Sequence, residues 1–429
     1  MSVKKSLRPT LLVVLTLAAC FSAQTVLAST VIVGTCKTGI QFGTINAAVA
    51  AAPAGATIDI CPGTYPEQVT ITKNLILKGI SSGNAGAAII VPPSGGLVQN
   101  ATRLSGAGVE AQIYVLGPSV TVNISDLTFD AAGSNLDSLG CDGDPAGIFY
   151  KFASGTITRN SVLNDILSPN FNGCGGGLGI YAVSNSASDV LKITYNHVET
   201  YSKNGITVNG PGGAPGPSGT ISNNTVIGQG PTTGAAENSI QVGFGATGTI
   251  STNTVGSDVW APDTISDPGD AAAGILVYAS SGVFISNNNV NNTQYGIVAV
   301  TDTSYGTADN TTVTKNTVSA THIFDGIDLC SNNNSATANL VNGSDEAGIH
   351  VDATCTGAAT GNTVQKNVIN SACAGVLSGS ASGNTLSPNT YYNTVNLQLT
   401  GVDICQPPPV HGGKKSQARK HAQFNPARP

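Results

Sequence analysis

Two neighbouring repeats place an acid and a histidine at the same position. "GIDL" (326–329) and "GIHV" (348–351) share the pattern glycine, aliphatic, variable, aliphatic, and Asp328 and His350 hold the variable position. Neighbouring strand residues face opposite ways, so this position points away from the aliphatic core, as does Asp352. Carboxylates near a histidine favour its protonated form, which suits a proton donor. We therefore take Asp328, His350 and Asp352 as candidate catalytic residues.

More acids precede these two strands. Asp325, Asp345 and Glu346 are candidate binding residues, because stacked strands would bring them near His350. The 22 residues from Gly326 to Gly348 are about one coil, so Asp328 and His350 should lie on adjacent rungs of one solvent-facing surface. Two interpretations stay open. The group is either an acid/base or metal-assisted site, or a solvated face whose ion pairs contribute only about 0–1 kcal/mol.

A second acidic set comes from two loops. Asp142 and Asp144 lie in "CDGDPAG", and Asp267 and Asp270 lie in "SDPGD". Oxygen-rich loops can hold Ca²⁺, the one cofactor that the sequence suggests, although neither loop follows a known calcium pattern. The alternative is that these are ordinary acidic turn residues.

Two aromatic residues occupy the same outward position in earlier repeats. Phe149 lies in "GIFY" and Tyr181 in "GIYA". Such rings could stack on sugar rings, or they could cover the base of an insertion. Both interpretations stay open.

These residues are positioned by a repeat. The phrase "ISNNTV" (221–226) returns with small changes, and its asparagine recurs at intervals of 28, 29, 35 and 28 residues from Asn196 to Asn316. A fixed period of this size indicates a solenoid, and the short alternating segments indicate strands rather than helices. Asparagine tolerates the left-handed backbone of a tight turn, and its amide can bond to the asparagine of the next rung.

From about residue 31 to 405, the chain resembles the right-handed parallel β-helix proteins of the pectate-lyase-like superfamily. It is most similar to the bacterial β-helix repeat proteins related to the accessory protein of nitrous oxide reductase. The resemblance implies an all-β, single-stranded solenoid of about 11–12 coils. It also implies that "TINAAVAAA" (44–52) is a short helix that caps the first coil.

The resemblance implies no particular activity. "GTYPEQV" (63–69) is similar to a phrase of pectin methylesterases, but the later Asp and Arg motifs of that family are missing. The "GHG" and "RxK" phrases of polygalacturonase-type hydrolases are missing as well. A lyase needs a strong base, and the body of the chain has only Arg103 and Arg159 as arginines.

The two ends of the chain differ from its body. Residues 1–28 have basic residues followed by "LLVVLTLAA" (11–19), which predicts an export signal, with a lipoprotein site at Cys20 as the alternative to cleavage before Ser29. Residues 406–429 are proline-rich and basic, and we expect them to be disordered. The β-helix domain is therefore 29–405. It has ten Lys and Arg against 24 Asp and Glu, and this acidic charge argues against nucleic acid as a partner.

Eight cysteines remain when Cys20 is set aside. An even number in an exported chain predicts disulfides, although eight cysteines allow about 105 pairings. Spacing between neighbours favours Cys36–Cys61, Cys141–Cys174, Cys330–Cys355 and Cys373–Cys405.

Two classes of function fit these observations. The first is an exported, monomeric protein that binds carbohydrate or another component of the cell envelope along an elongated face, with no segment that crosses a membrane. The second is a polysaccharide lyase or hydrolase that uses the Asp328, His350 and Asp352 face. The lack of a recognisable catalytic set favours the first.

Overall fold

The fold is a coil of parallel strands with three faces. The computed structural model describes residues 30–81, 86–171, 173–260, 271–357, 359–379, 383–400, 405 and 426–429. We call the strands before the repeat asparagine face 1, those after it face 2, and the glycine–aliphatic strands face 3.

The strands distribute over the faces as follows. Face 1 contains Thr30–Val33, Thr57–Ile60, Leu75–Gly79, Val190–Thr194, Ser218–Ser222, Thr247–Ser251, Phe284–Ser286, Thr312–Thr314, Ser335–Thr337 and Thr363–Gln365. Face 2 contains Gly63–Pro66, Ala88–Val91, Thr128–Asp130, Ser161–Asp165, His197–Tyr201, Thr225–Thr232, Thr254–Trp260, Asn289–Thr293, Thr317–Thr321 and Thr390–Tyr392. Face 3 contains Val69–Ile71, Leu178–Val183, Asn204–Asn209, Asn238–Gly243, Ala273–Tyr278, Tyr295–Val300, Ile327–Cys330 and Asn396–Thr400.

Four long strands turn a corner without a break. Gly108–Ser125 and Pro145–Thr158 run from face 3 into face 1, whereas Leu340–Val351 and Val368–Ser378 run from face 2 into face 3. Two short strands, Ile40–Phe42 and Ala101–Thr102, pair at the periphery. The helices are Ile45–Ala51 and the 3₁₀ helix Asp137–Asp142.

Rungs stack in register, which confirms the predicted coil. On face 3, parallel pairing links eleven inward positions and, in the last rung, the exposed Gln398. The inward positions are Val69, Ile113, Ile148, Ile180, Ile206, Ile240, Ile275, Ile297, Ile327, Ile349 and Val376. The aliphatic members of this column belong to one continuous buried core. Each rung therefore buries its apolar side chains against its two neighbours.

The repeat asparagines form the predicted ladder. The Nδ2 of Asn224 donates to Asn253 Oδ1 at 3.0 Å, and Asn253 donates in the same way to Asn288. The ladder continues through Asn316, Asn339 and Asn367 to Asn389. Each amide satisfies polar groups that the corner would otherwise bury unpaired.

Our expectation that asparagine itself takes the left-handed backbone is wrong. The left-handed residue is the one before the ladder asparagine: Arg159, Tyr195, Asn223, Thr252, Asn287, Lys315, Ala338 or Lys366, each with φ between 55° and 59°. The ladder asparagine must point its amide along the stack, so the tight turn falls on its more exposed predecessor.

The predicted capping helix is present, and its contacts give a structural role to the glutamate of the phrase at 63–69. Thr44 caps Ile45–Ala51 by accepting from Ala47 N, and Ile45 and Val49 are buried. Glu67 accepts from the backbone N–H groups of Ile45 and Asn46 at 2.8 and 2.9 Å. The glutamate of "GTYPEQV" therefore fastens the helix to the first coil.

All four predicted disulfides are present. The pairs are Cys36–Cys61, Cys141–Cys174, Cys330–Cys355 and Cys373–Cys405. The predicted export signal, including Cys20, lies outside the described residues, as does most of 406–429. Among the described helices, none has the length and apolarity to span a membrane.

Candidate functional site

The structure brings the leading candidates together on the outward side of face 3. Asp328 and His350 are directly paired on adjacent rungs, as their matching offsets from glycine predict. Asp325 joins them, because its Oδ2 lies 3.2 Å from His350 Nδ1. Its other oxygen accepts from Ala347 N at 2.9 Å, which fixes the carboxylate in place.

This surface is buried, so the expectation of a solvent-facing patch is wrong. Asp325, Asp328 and Asp352 are each at most 3% exposed. The His350 side chain is 15% exposed, against 1% for Asp325, so the imidazole is the more accessible partner of this pair. Large neighbours such as Tyr295 and Phe324, stacked at 4.4 Å, pack outside the coil in this region.

Charge sets the protonation of His350. Burial alone would lower its pKa, but the negative charge and hydrogen bond of Asp325, with the charges of Asp352 and Asp328, raise that pKa well above its usual value. The imidazole is therefore a charged donor at neutral pH. This agrees with its candidate role as a proton donor and disagrees with a role as a base.

Within the described ranges, one group of residues has the geometry of a cation site. One potential ligand atom from each of Asp325, Asp328 and His350 lies within 4.8 Å of the other two. Two carboxylates and an imidazole are suitable ligands for a divalent cation. Binding would require His350 to lose its proton, and the raised pKa opposes that loss.

The other acids of this region divide by exposure. Glu346 is buried, with 6% exposed, and its N–H bonds to Phe324 O. Asp345 is exposed and accepts from Ile323 N at 2.8 Å. Asp345 therefore holds a turn and stands apart from the buried carboxylates.

One member of the second acidic set, Asp144, has protein partners of its own. Asp144 is buried, forms a 2.6 Å ion pair with Arg103 and accepts from Gly177 N. Asp142 is exposed at the end of the 3₁₀ helix. Asp267 and Asp270 lie outside the described residues. The carboxylate of Asp144 is therefore engaged by an arginine and a backbone amide.

The outward aromatics form a covered stack. Tyr114, Phe149 and Tyr181 follow one another with ring centroids 5.3 and 4.7 Å apart, and Phe149 and Tyr181 have no exposed surface. Ala101, with the partly buried Leu104, belongs to the same cluster. The structure favours the second of the two interpretations left open, because other parts of the chain cover these rings.

Part of the cover comes from 426–429, where our expectation of disorder is wrong. Ala427 is 1% exposed and packs in the cluster of Phe149 and Tyr181. Tyr181 donates its hydroxyl to Arg428 O at 3.0 Å. A small apolar residue and its backbone are thus held tightly, although the composition of 406–429 as a whole indicates disorder.

Sequence reasoning missed a buried polar cluster between faces 2 and 3. Asp258 accepts from Tyr201 at 2.8 Å and from Ser239 at 2.6 Å. Burial raises the pKa of Asp258 to about 8, so its carboxyl is largely protonated at neutral pH. One signal was available, because Ser239 stands where the other repeats have glycine.

An open cleft lies elsewhere. It has a volume of about 570 Å³ and is lined by residues 131–137, 164 and 166–169, among which Asp137 is the one carboxylate. It is therefore separate from the Asp325–His350 contact, and it lacks the paired ionisable groups of that contact.

Comparison with known proteins agrees with this geometry. Residues 216–391 match the family model described as "Right handed beta helix region". The chain folds as a right-handed parallel β-helix. A search of curated protein sequences gives no match.

Solved structures similar to this β-helix include several enzymes. The catalytic domain of a GH87 α-1,3-glucanase in complex with nigerose matches with a TM-score of 0.55 and 14% identity, over 89% of this chain and 67% of the glucanase domain. Pectin methylesterase PemA from Erwinia chrysanthemi matches with a TM-score of 0.34 and 16% identity, over 63% of this chain and 81% of its own. The A-module of the mannuronan C-5 epimerase AlgE4 from Azotobacter vinelandii matches with a TM-score of 0.42 and 12% identity, over 84% of this chain and 92% of the module. At these identities the likeness concerns the fold.

Proposed function

We propose that this β-helix is an exported protein that binds a neutral polysaccharide along the outward side of face 3. The observation that carries the proposal is the contact of Asp325 with a charged, partly accessible His350, with Asp328 on the paired strand. The accessible part of the His350 imidazole, held in place by Asp325, is a cationic donor that can hydrogen-bond a sugar hydroxyl. Four disulfides support export.

Charge favours a neutral polymer over an acidic one. The body of the chain has a charge near −14, and the proposed site contains several carboxylates. A polyuronate would meet like charge at the carboxylates of Asp325 and Asp328. The glucanase of the same fold, whose structure is described as a complex with nigerose, is consistent with a saccharide on such a scaffold.

A second candidate function is polysaccharide cleavage, favoured by the raised pKa of His350. A protonated imidazole beside Asp325 and Asp328 could donate a proton to a leaving oxygen. The same geometry speaks against a lyase that uses His350 as its base, because a charged imidazole has no lone pair to accept a proton.

Binding is tested by titrating the protein with neutral glucans and with polyuronates, with and without Ca²⁺. We expect the neutral polymers to bind and His350→Gln to weaken binding at least about tenfold, the loss of one charge-assisted hydrogen bond. His197→Gln is the matched control, because His197 lies on face 2 and pairs with the exposed Glu199. Equal affinity of His350→Gln and the wild type would contradict the proposed site.

Product analysis of the same mixtures separates the two candidates. New reducing ends that depend on His350 would support hydrolysis, and unsaturated ends would support a lyase. Saturable binding without either product supports the binding protein.

A further inference from the structure

Side chains of face 3 hold the backbone of residues 427 and 428 by hydrogen bonds. Gln241 Nε2 donates to Ala427 O at 2.9 Å, while Gln241 Oε1 accepts from Ala427 N at 3.0 Å. Asn209 Nδ2 donates to the same carbonyl at 2.7 Å. One glutamine thus pairs with both polar backbone groups of Ala427, as a neighbouring strand would.

The next two residues are held in the same way. Arg428 O accepts from Tyr181 Oη at 3.0 Å and from an Arg103 guanidinium nitrogen at 3.2 Å. Pro429 O accepts from Ser105 N at 3.3 Å. Recognition therefore falls on the backbone, with four polar backbone groups of three successive residues bonded to the coil.

Side chains add selectivity at two positions. Ala427 is 1% exposed in its cluster, so a larger residue would not fit there. The Arg428 guanidinium lies 5.7 Å from the centre of the Tyr305 ring, and it also donates to Tyr305 Oη at 2.8 Å. The contacts fit a small residue followed by arginine.

The receiving groups are positioned by the coil itself. Asn204 donates to Gln241 Oε1, and Gln241 donates to Asn209 Oδ1, both at 2.9 Å. Arg103 is held by its ion pair with Asp144. Since these bonds lie within residues 103–241, the groups are prearranged for a backbone ligand and lose partners if it leaves.

We propose that Arg103, Tyr181, Asn209, Gln241 and Tyr305 form a peptide-binding groove. Its ligand is an extended segment with a small residue followed by arginine and proline, and residues 426–429 are its exchangeable occupant within the chain. Residues 406–425 tether this occupant to Cys405, which gives it an effective concentration of the order of mM. A peptide added in solution must compete with that concentration.

The test uses the full chain with Ala427→Arg, which removes the small residue without altering the groove. The probe is a fluorescent peptide with the sequence of residues 422–429, AQFNPARP, followed by anisotropy. We expect the variant to bind the peptide at least about tenfold more tightly than the wild type, whose groove is filled. A second peptide carrying Ala427→Arg should not bind either protein.

Two further outcomes decide the matter. Adding Tyr305→Ala to the Ala427→Arg chain should weaken peptide binding severalfold, because the arginine loses its ring contact. If Ala427→Arg keeps the wild-type circular dichroism spectrum yet binds the peptide no better than the wild type, the groove proposal is wrong. Equal binding of the two peptides would overturn it as well.

Discussion

Thr252 shows what the tight corner costs a single residue. It is exposed, has a β-branched side chain and adopts φ 58°, a conformation that such side chains strongly disfavour. Thr252→Asn should therefore stabilise the protein by about 1 kcal/mol. The measurement is the change in free energy of unfolding from denaturant curves. Thr254→Asn, two residues on in an ordinary strand, should give no gain, and an equal gain there would contradict the strain argument.

Asp258 links stability to pH. Its folded pKa of about 8 exceeds the value of about 3.9 expected in the unfolded chain, so the folded state binds the extra proton between these values. Its contribution is fully present below about pH 4 and is lost as the pH rises through about 8. We expect the melting temperature to fall from pH 5 to pH 9 and Asp258→Asn to flatten this fall.

The exposed Asp345 provides the control for that series. Asp345→Asn should keep the wild-type dependence of melting temperature on pH. If Asp258→Asn retains the full wild-type slope, the buried carboxyl of Asp258 is not its source.

At the scale of the element, the asparagine ladder supports the corner. Asn224→Leu removes the bonds to Asn253 Oδ1 and Ile193 O, and it leaves the N–H donors of Asn196 without the Asn224 oxygen. We expect a loss of about 1–3 kcal/mol in the free energy of unfolding. Asn291→Leu, an exposed asparagine of a face 2 strand, should change stability far less. Similar losses in both variants would show that the ladder has no special role.

The repeated strands were predictable because each type of strand recurs several times in the sequence. Matching offsets from Gly326 and Gly348 were enough to place Asp328 opposite His350. Burial of that pair was not predictable, because it depends on groups such as Tyr295 and Phe324 that pack outside the coil. The contact of Gln241 with Ala427 spans 186 residues and follows no period, so no local pattern could indicate it.

At the scale of the whole molecule, a coil should be removable. Deleting residues 289–316 joins Asn288 to Thr317, so that Val318 takes the place of Val290 against Val255. The deleted coil contains no cysteine. We expect a soluble protein with a β-sheet circular dichroism spectrum and a lower melting temperature, because one rung of core is lost.

Deletion of half a coil is the matched control. Removing residues 289–302 takes away one face 2 strand and one face 3 strand but keeps the following face 1 strand, so later rungs lose their register. This variant should aggregate or fail to fold. If the full-coil deletion also aggregates or fails to fold, a single coil cannot be removed without disrupting the others.

The asparagine ladder also bears on the order in which the molecule assembles. Successive ladder residues are only 22 to 36 positions apart along the chain. Contacts this local carry a small loop-closure cost, so each coil can close as soon as the previous one offers a template. Because Glu67 fixes the capping helix to the first coil, the β-helix can fold coil by coil from that end. Its folding time is then set by the closure of individual coils rather than by the full length of the chain.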